Sequence, residues 1–114
     1  MIQRNDILFV ELPPPLGGVG REQTGRRPAI AIQDELANLP TVLVLPLTSQ
    51  LEALRFPFTL SVEPSAINGL SLRSVALLFQ MQVLDKRRVV RVIGTLETEY
   101  MNPLDMMMRR MLKL

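Results

Sequence analysis

Five short apolar runs separated by strong turn signals constrain this chain more than any other feature. They are Ile7 to Val10, Ala29 to Ile32, Thr41 to Leu47, Phe58 to Val62 and Ser74 to Phe79, none longer than seven residues. Runs of this length, rich in β-branched residues and bounded by Gly, Pro and Asn, read as strands. Several are apolar at successive positions rather than alternate ones. Both faces of those strands are therefore expected to be covered, as in a small, strongly curved sheet or barrel of antiparallel strands. The punctuation is explicit: Pro13-Pro14-Pro15 with Gly17-Gly18 opens a long loop, Asn38-Leu39-Pro40 closes another, and Asn68-Gly69 marks a turn before the fifth strand. The fold class is mainly β with a helical end (β+α). At 114 residues with no repeat and no linker, one domain spanning 1–114 is expected.

The period changes near the C-terminus. Asn102 suits an N-cap, Pro103 the first helical position and Asp105 the third, where a carboxylate meets free amides and the helix dipole. A helix is expected from there. Leu104, Met107, Met108, Met111 and Leu112 fall on one face and are expected to pack on the sheet, while Asp105 and Arg109, four apart, are expected to pair. Just upstream, Leu84 to Val90 reads as a short helical turn ended by Gly94.

Composition narrows the chemistry. The chain has no cysteine and no histidine. Disulfides and thiolate chemistry are excluded, and the commonest general base and metal ligand are missing, so catalysis has to draw on Arg, Asp, Glu, Ser, Thr or Tyr. Neither a metal nor a cofactor is expected. The 13 basic residues include only two lysines, Lys86 and Lys113. The remainder are arginines, whose planar guanidinium forks onto phosphate oxygens, so a polyanion partner and a plainly solvated surface are both open readings. No charge-free apolar run approaches the roughly 20 residues that cross a bilayer. Met1 to Val10 contains Arg4 and Asp6 and lacks the apolar stretch of a secretory signal. No membrane contact is expected, and the cytoplasm is the expected compartment.

Chemically active side chains crowd two places. Gly20-Arg21-Glu22-Gln23-Thr24-Gly25-Arg26-Arg27-Pro28 leads into the second strand, where Pro28 stiffens the backbone behind Arg27 and makes that side chain a candidate anion clamp. Pro46-Leu47-Thr48-Ser49-Gln50 sets hydroxyl and amide groups where the third strand emerges. Taken separately, each is equally a solvated loop and a set of backbone caps.

Together with Arg4-Asn5-Asp6-Ile7, Ser74-Val75 through Gln80, Leu84-Asp85-Lys86-Arg87-Arg88 and Ile93-Gly94-Thr95-Leu96, these strings resemble, in order and spacing and nearly end to end, the MazF/PemK toxins of type II toxin-antitoxin systems. The resemblance implies an SH3-like barrel with a terminal helix and a homodimer. It implies an mRNA interferase, which inhibits growth by metal-independent, sequence-specific cleavage of single-stranded RNA. A cognate antitoxin protein is the implied partner. The arginine before the proline and the threonine ending the third strand are the family's catalytic pair, and they fall on Arg27 and Thr48. Glu22 is the nearest carboxylate for proton transfer. Gln23, Ser49, Phe56 and Gln80 match positions lining the RNA groove. Phe56 either stacks on an unpaired base or belongs to the core.

The implied chemistry is consistent with a chain that lacks histidine. RNA carries its own nucleophile, the 2′-hydroxyl, so the protein need only orient it and stabilise charge on the phosphate. Products would be a 2′,3′-cyclic phosphate and a 5′-hydroxyl. Gln82 stands where relatives often have arginine, and Arg73 where an acid is common, so the RNA sequence recognised is expected to differ. The alternative is a non-catalytic toxin of the same fold that seizes and poisons DNA gyrase. The pairing of Arg27 with Thr48, which such an inhibitor does not need, favours the nuclease.

Overall fold

A computed structural model of the chain describes residues 2–13, 25–34 and 39–114. Seven strands form the sheet: β1 Asp6–Leu12, β2 Gly25–Ala31, β3 Thr41–Thr48, β4 Thr59–Val62, β5 Ser74–Leu77, β6 Gln82–Asp85 and β7 Val89–Thr95. One helix, α1 Thr98–Leu112, follows. Every pairing is antiparallel, in the order β4-β5-β3-β2-β1-β7, with β6 also on β3. The sheet is curved but does not close into a complete barrel: β4 and β7 end the main path, and β6 pairs with β3 alone.

The two-sided strands are as the apolar runs predict. Ile7, Ile30, Leu45 and Leu47 face one buried cluster with Leu78, Leu96, Leu104 and Met108. Their sequence neighbours Leu8, Ala29, Ala31, Val42 and Val44 face a second cluster with Val10 and Leu84. Successive side chains point to opposite sides of a strand, so an unbroken apolar run fills both cores at once. Met107 and Met111 also lie against the first cluster, so the methionine stripe packs on the sheet, although Leu112 at its end is exposed.

Several local expectations need correction. The fourth strand begins at Thr59 rather than Phe58, whose φ of 58° is left-handed and outside the strand region. The fifth ends at Leu77, and Leu78–Gln80 coils into a 3-10 turn. Residues 84–90 are mostly strand. Val42↔Leu84 and Leu43↔Val83 pair β6 to β3, only Lys86–Arg88 turns, and Gly94 lies inside β7 opposite Ile7 rather than ending a helix. Here the ladder along β3 and β1 outweighs a weak local helical period.

The helix begins at Thr98, not beside Asn102, and Pro103 sits within it. Its start is fixed from outside. The Glu97 carboxylate accepts from Ser65 Oγ at 3.1 Å and Asn68 Nδ2 at 2.9 Å, and the Tyr100 hydroxyl accepts from Glu63 N at 3.1 Å. Tyr100 and Met101 then pack on the core ahead of the proline. Asp105 does not pair along the helix with Arg109. It meets Arg4 at 2.7 Å, which clips the helix to the start of β1. Both side chains are over 40% exposed, so Asp105→Asn is expected to cost at most about 1 kcal/mol in chemical denaturation.

At the β6–β7 corner the Asp85 carboxylate accepts from the Arg87 side chain and backbone, and this holds its pKa down to about 2. A carboxyl depressed on folding adds stability above its unfolded value, and that contribution is lost as pH falls toward 2. Carboxyl NMR titration is expected to place the Asp85 midpoint about there, rising toward 3.8 in Arg87→Ala.

Candidate active site

The end of β3 forms a wall between two hollows. On β2, Arg26 and Arg27 lie opposite Glu11 and Val10 of β1. With Phe9, Leu47, Ser49 and Ser71 they border a cavity of about 200 Å³. Arg26 reaches Glu11 at 3.8 Å, and the Arg91 guanidinium lies 4.9 Å from the Phe9 ring centre. Two guanidinium groups and serine hydroxyls, donor types that suit anions, thus border one hollow, with the Glu11 carboxylate beside Arg26.

The second hollow, about 370 Å³, is lined by Thr48, Gln50, Glu52, Arg55, Phe56, Leu77, Phe79 and Gln80. Local folding explains its contents. Thr48, the last residue of β3, is opposite Val75 and nearly buried, and its Oγ1 accepts the Gln50 N–H at 3.2 Å. That bond is the short-range cap the strand end calls for, at a residue that borders the cavity. The chain then winds through the 3-10 turn Leu51–Arg55. The 3-10 turn Leu78–Gln80, inserted where β3 passes from pairing with β5 to pairing with β6, brings Phe79 and Gln80 to the same hollow.

The residues singled out in the sequence therefore divide. Arg27 and Ser49 border the first hollow; Thr48, Phe56 and Gln80 border the second. The β2–β3 ladder stops at Ala29↔Pro46, two residues short of setting Arg27 opposite Thr48. Glu22 and Gln23 lie outside the described residues. Phe56 is 40% exposed and is not core; its ring meets Phe79 edge to face, with centres 5.6 Å apart. Sequence reasoning did not single out Glu52, Arg55, Phe79 or Ser71. The signal for the first two was the Glu-x-x-Arg spacing, which a 3-10 turn places on one side. Among the described residues, no cluster of acidic side chains could hold a metal ion, and no helix is long and apolar enough to cross a membrane.

A small, curved antiparallel sheet with a packed terminal helix, carrying an arginine–hydroxyl hollow next to an aromatic–amide one, defines a β+α protein of the kind seen in small toxins. The chain belongs to the PemK-like, MazF-like toxins of type II toxin-antitoxin systems, whose family model matches residues 3–112. It is 33% identical over 107 residues to endoribonuclease EndoA of Bacillus subtilis, covering 92% of this chain and 89% of that one. Its fold is similar to that of MazF from Deinococcus radiodurans, with a TM-score of 0.79 at 20% identity over 99% of this chain and 97% of the other. Mycobacterium tuberculosis toxin MazF-mt6 gives a TM-score of 0.74 at 22% identity, covering 96% and 97%. A mycobacterial endoribonuclease solved in complex with its cognate antitoxin gives 0.70 at 16% identity, covering 99% and 94%.

Proposed function

We propose that the chain is a toxin endoribonuclease that cuts single-stranded RNA without a metal. The observation that carries this reading is the pair of hollows that flank the end of β3, with Arg27 and Ser49 bordering one and Thr48, at the wall between them, bordering the other with its aromatic and amide side chains. In this reading Arg27 grips the scissile phosphate and stabilises the extra negative charge of the transition state, and Thr48 hydrogen-bonds a non-bridging oxygen. The 2′-hydroxyl attacks the adjacent phosphorus and the 5′-oxygen leaves, giving a 2′,3′-cyclic phosphate and a 5′-hydroxyl. Glu22 is the candidate for proton transfer. Ser49, Gln23, Phe56 and Gln80 hold and read the RNA.

The toxin acts as a homodimer in the cytoplasm, where its RNA is. Exposed Val83, Val90 and Val92 on β6 and β7 supply apolar surface for a second copy. A cognate antitoxin neutralises it by covering the RNA groove, a reading supported by the related endoribonuclease solved with its antitoxin.

The test is incubation of the purified chain with end-labelled single-stranded RNA in excess EDTA. Discrete cleavage is expected. RNA left whole across varied sequences, together with capture of DNA gyrase, would replace this reading with that of a gyrase-poisoning relative.

A further inference from the structure

We propose that the 370 Å³ hollow beneath the turn Leu51–Arg55 is a subsite for one unstacked nucleobase, with Phe79 as its stacking platform and Glu52 as the group that selects it. The proposal rests on the ribonuclease reading above and deepens it by naming which bases this subsite accepts.

The geometry favours Phe79 over Phe56 as the platform. The Arg55 guanidinium lies 4.8 Å from the Phe56 ring centre, so one face of that ring already carries a cation. Phe79 stands at 65° to it and is the more exposed ring, at 45%. A flat base set against Phe79 gains the stacking that sequence-tolerant single-strand binding uses, while Phe56 and Arg55 form a rigid side wall. Apolar Leu77 also borders the space, and the polar side chains around it are Thr48, Gln50, Glu52, Arg55 and Gln80.

Among these, Glu52 is the one carboxylate. An ionised carboxylate only accepts hydrogen bonds, whereas the two glutamine amides both donate and accept. A base with an exocyclic amino group, such as cytosine, adenine or guanine, offers Glu52 a donor. Uracil has a carbonyl oxygen where cytosine has its amino group, and its ring N3–H is the one donor left on that edge, so it is the poorer partner for a carboxylate. The subsite therefore disfavours uracil, and it does so through a residue that does not border the Arg27 hollow.

The experiment uses the full chain, in EDTA, on an RNA pool randomised around the mapped cleavage position. For the wild type, one position is expected to be depleted of uracil among cut molecules. Glu52→Gln is expected to relax that depletion by about tenfold. Phe79→Leu is expected to raise KM by about tenfold, with Phe79→Tyr restoring it and all variants melting cooperatively. A Glu52→Gln profile identical to wild type at every position would overturn the subsite. A wild type that leaves the whole pool uncut would overturn the ribonuclease reading itself, a failure distinguishable from the first.

Discussion

Arg27→Ala is expected to lower RNA cleavage by about 10³-fold or more, with the fold preserved. A guanidinium aimed at a phosphate acts mainly on the charge that develops in the transition state, and removing such a donor typically costs two to three orders of magnitude, or more for a charged one. The structural cost is expected to be small. Arg27 is half-buried at the end of β2, its strand neighbour is Val10, and the cores are filled from Ala29 onward. Arg27→Lys keeps the charge but loses the fork, so it is expected to recover only part of the rate. The checks are single-turnover rates on one RNA and thermal melting of each variant. Arg27→Ala cleaving at the wild-type rate would remove Arg27 from the mechanism.

The largest expected effect on stability is at two glycines that share one gap. A Cβ on Gly94 would lie 2.4 Å from the carbonyl carbon and oxygen of Asn68. A Cβ on Gly69 would lie 2.1 Å from the Ile93 oxygen, and Gly69 has a φ of +73° that side chains rarely adopt. The turn and β7 are held at this spacing by Thr95 N donating to Ile67 O at 3.0 Å, and by buried Asn68, whose side chain reaches Glu63 O and Glu97. Because backbone meets backbone, no side-chain rotation relieves the overlap. Either Gly94→Ala or Gly69→Ala is expected to cost about 3 kcal/mol or more, lowering the melting temperature by roughly 10 °C. Both mutations force the same separation, so the double variant is expected to lose less than the sum of the two. Leu70, Ser71 and Leu72, just past Gly69, border the Arg27 hollow, so each alanine is expected to slow cleavage as well as lower stability.

The elements legible in the sequence were those whose own side chains determine them. Ile7 to Val10, Ala29 to Ile32 and Thr41 to Leu47 contribute side chains to both cores, and the structure shifts their ends by a few residues without changing their type. The elements misread depend on partners far along the chain. β6 exists because β3 offers it an edge, the helix starts at Thr98 because Glu97 is held some 30 residues away by Ser65 and Asn68, and Asp105 pairs with Arg4 across 101 positions. The site was legible in part for the same reason. Arg27 and Thr48 sit in short strings with their own punctuation. By contrast, the setting of Phe56 depends on Phe79, which reaches it only because a 3-10 turn interrupts the run Ser74 to Phe79.

The central claim is that RNA supplies the nucleophile and the protein supplies charge and orientation. Its most direct test is cleavage, in excess EDTA, of one RNA whose cut position has been mapped, compared with the same RNA carrying a single 2′-deoxy sugar on the 5′ side of that bond. The account predicts that the all-ribose strand is cut to a 2′,3′-cyclic phosphate and a 5′-hydroxyl, while the deoxy strand stays whole at that bond. Equal cleavage of both strands, or a 5′-phosphate terminus, would contradict it.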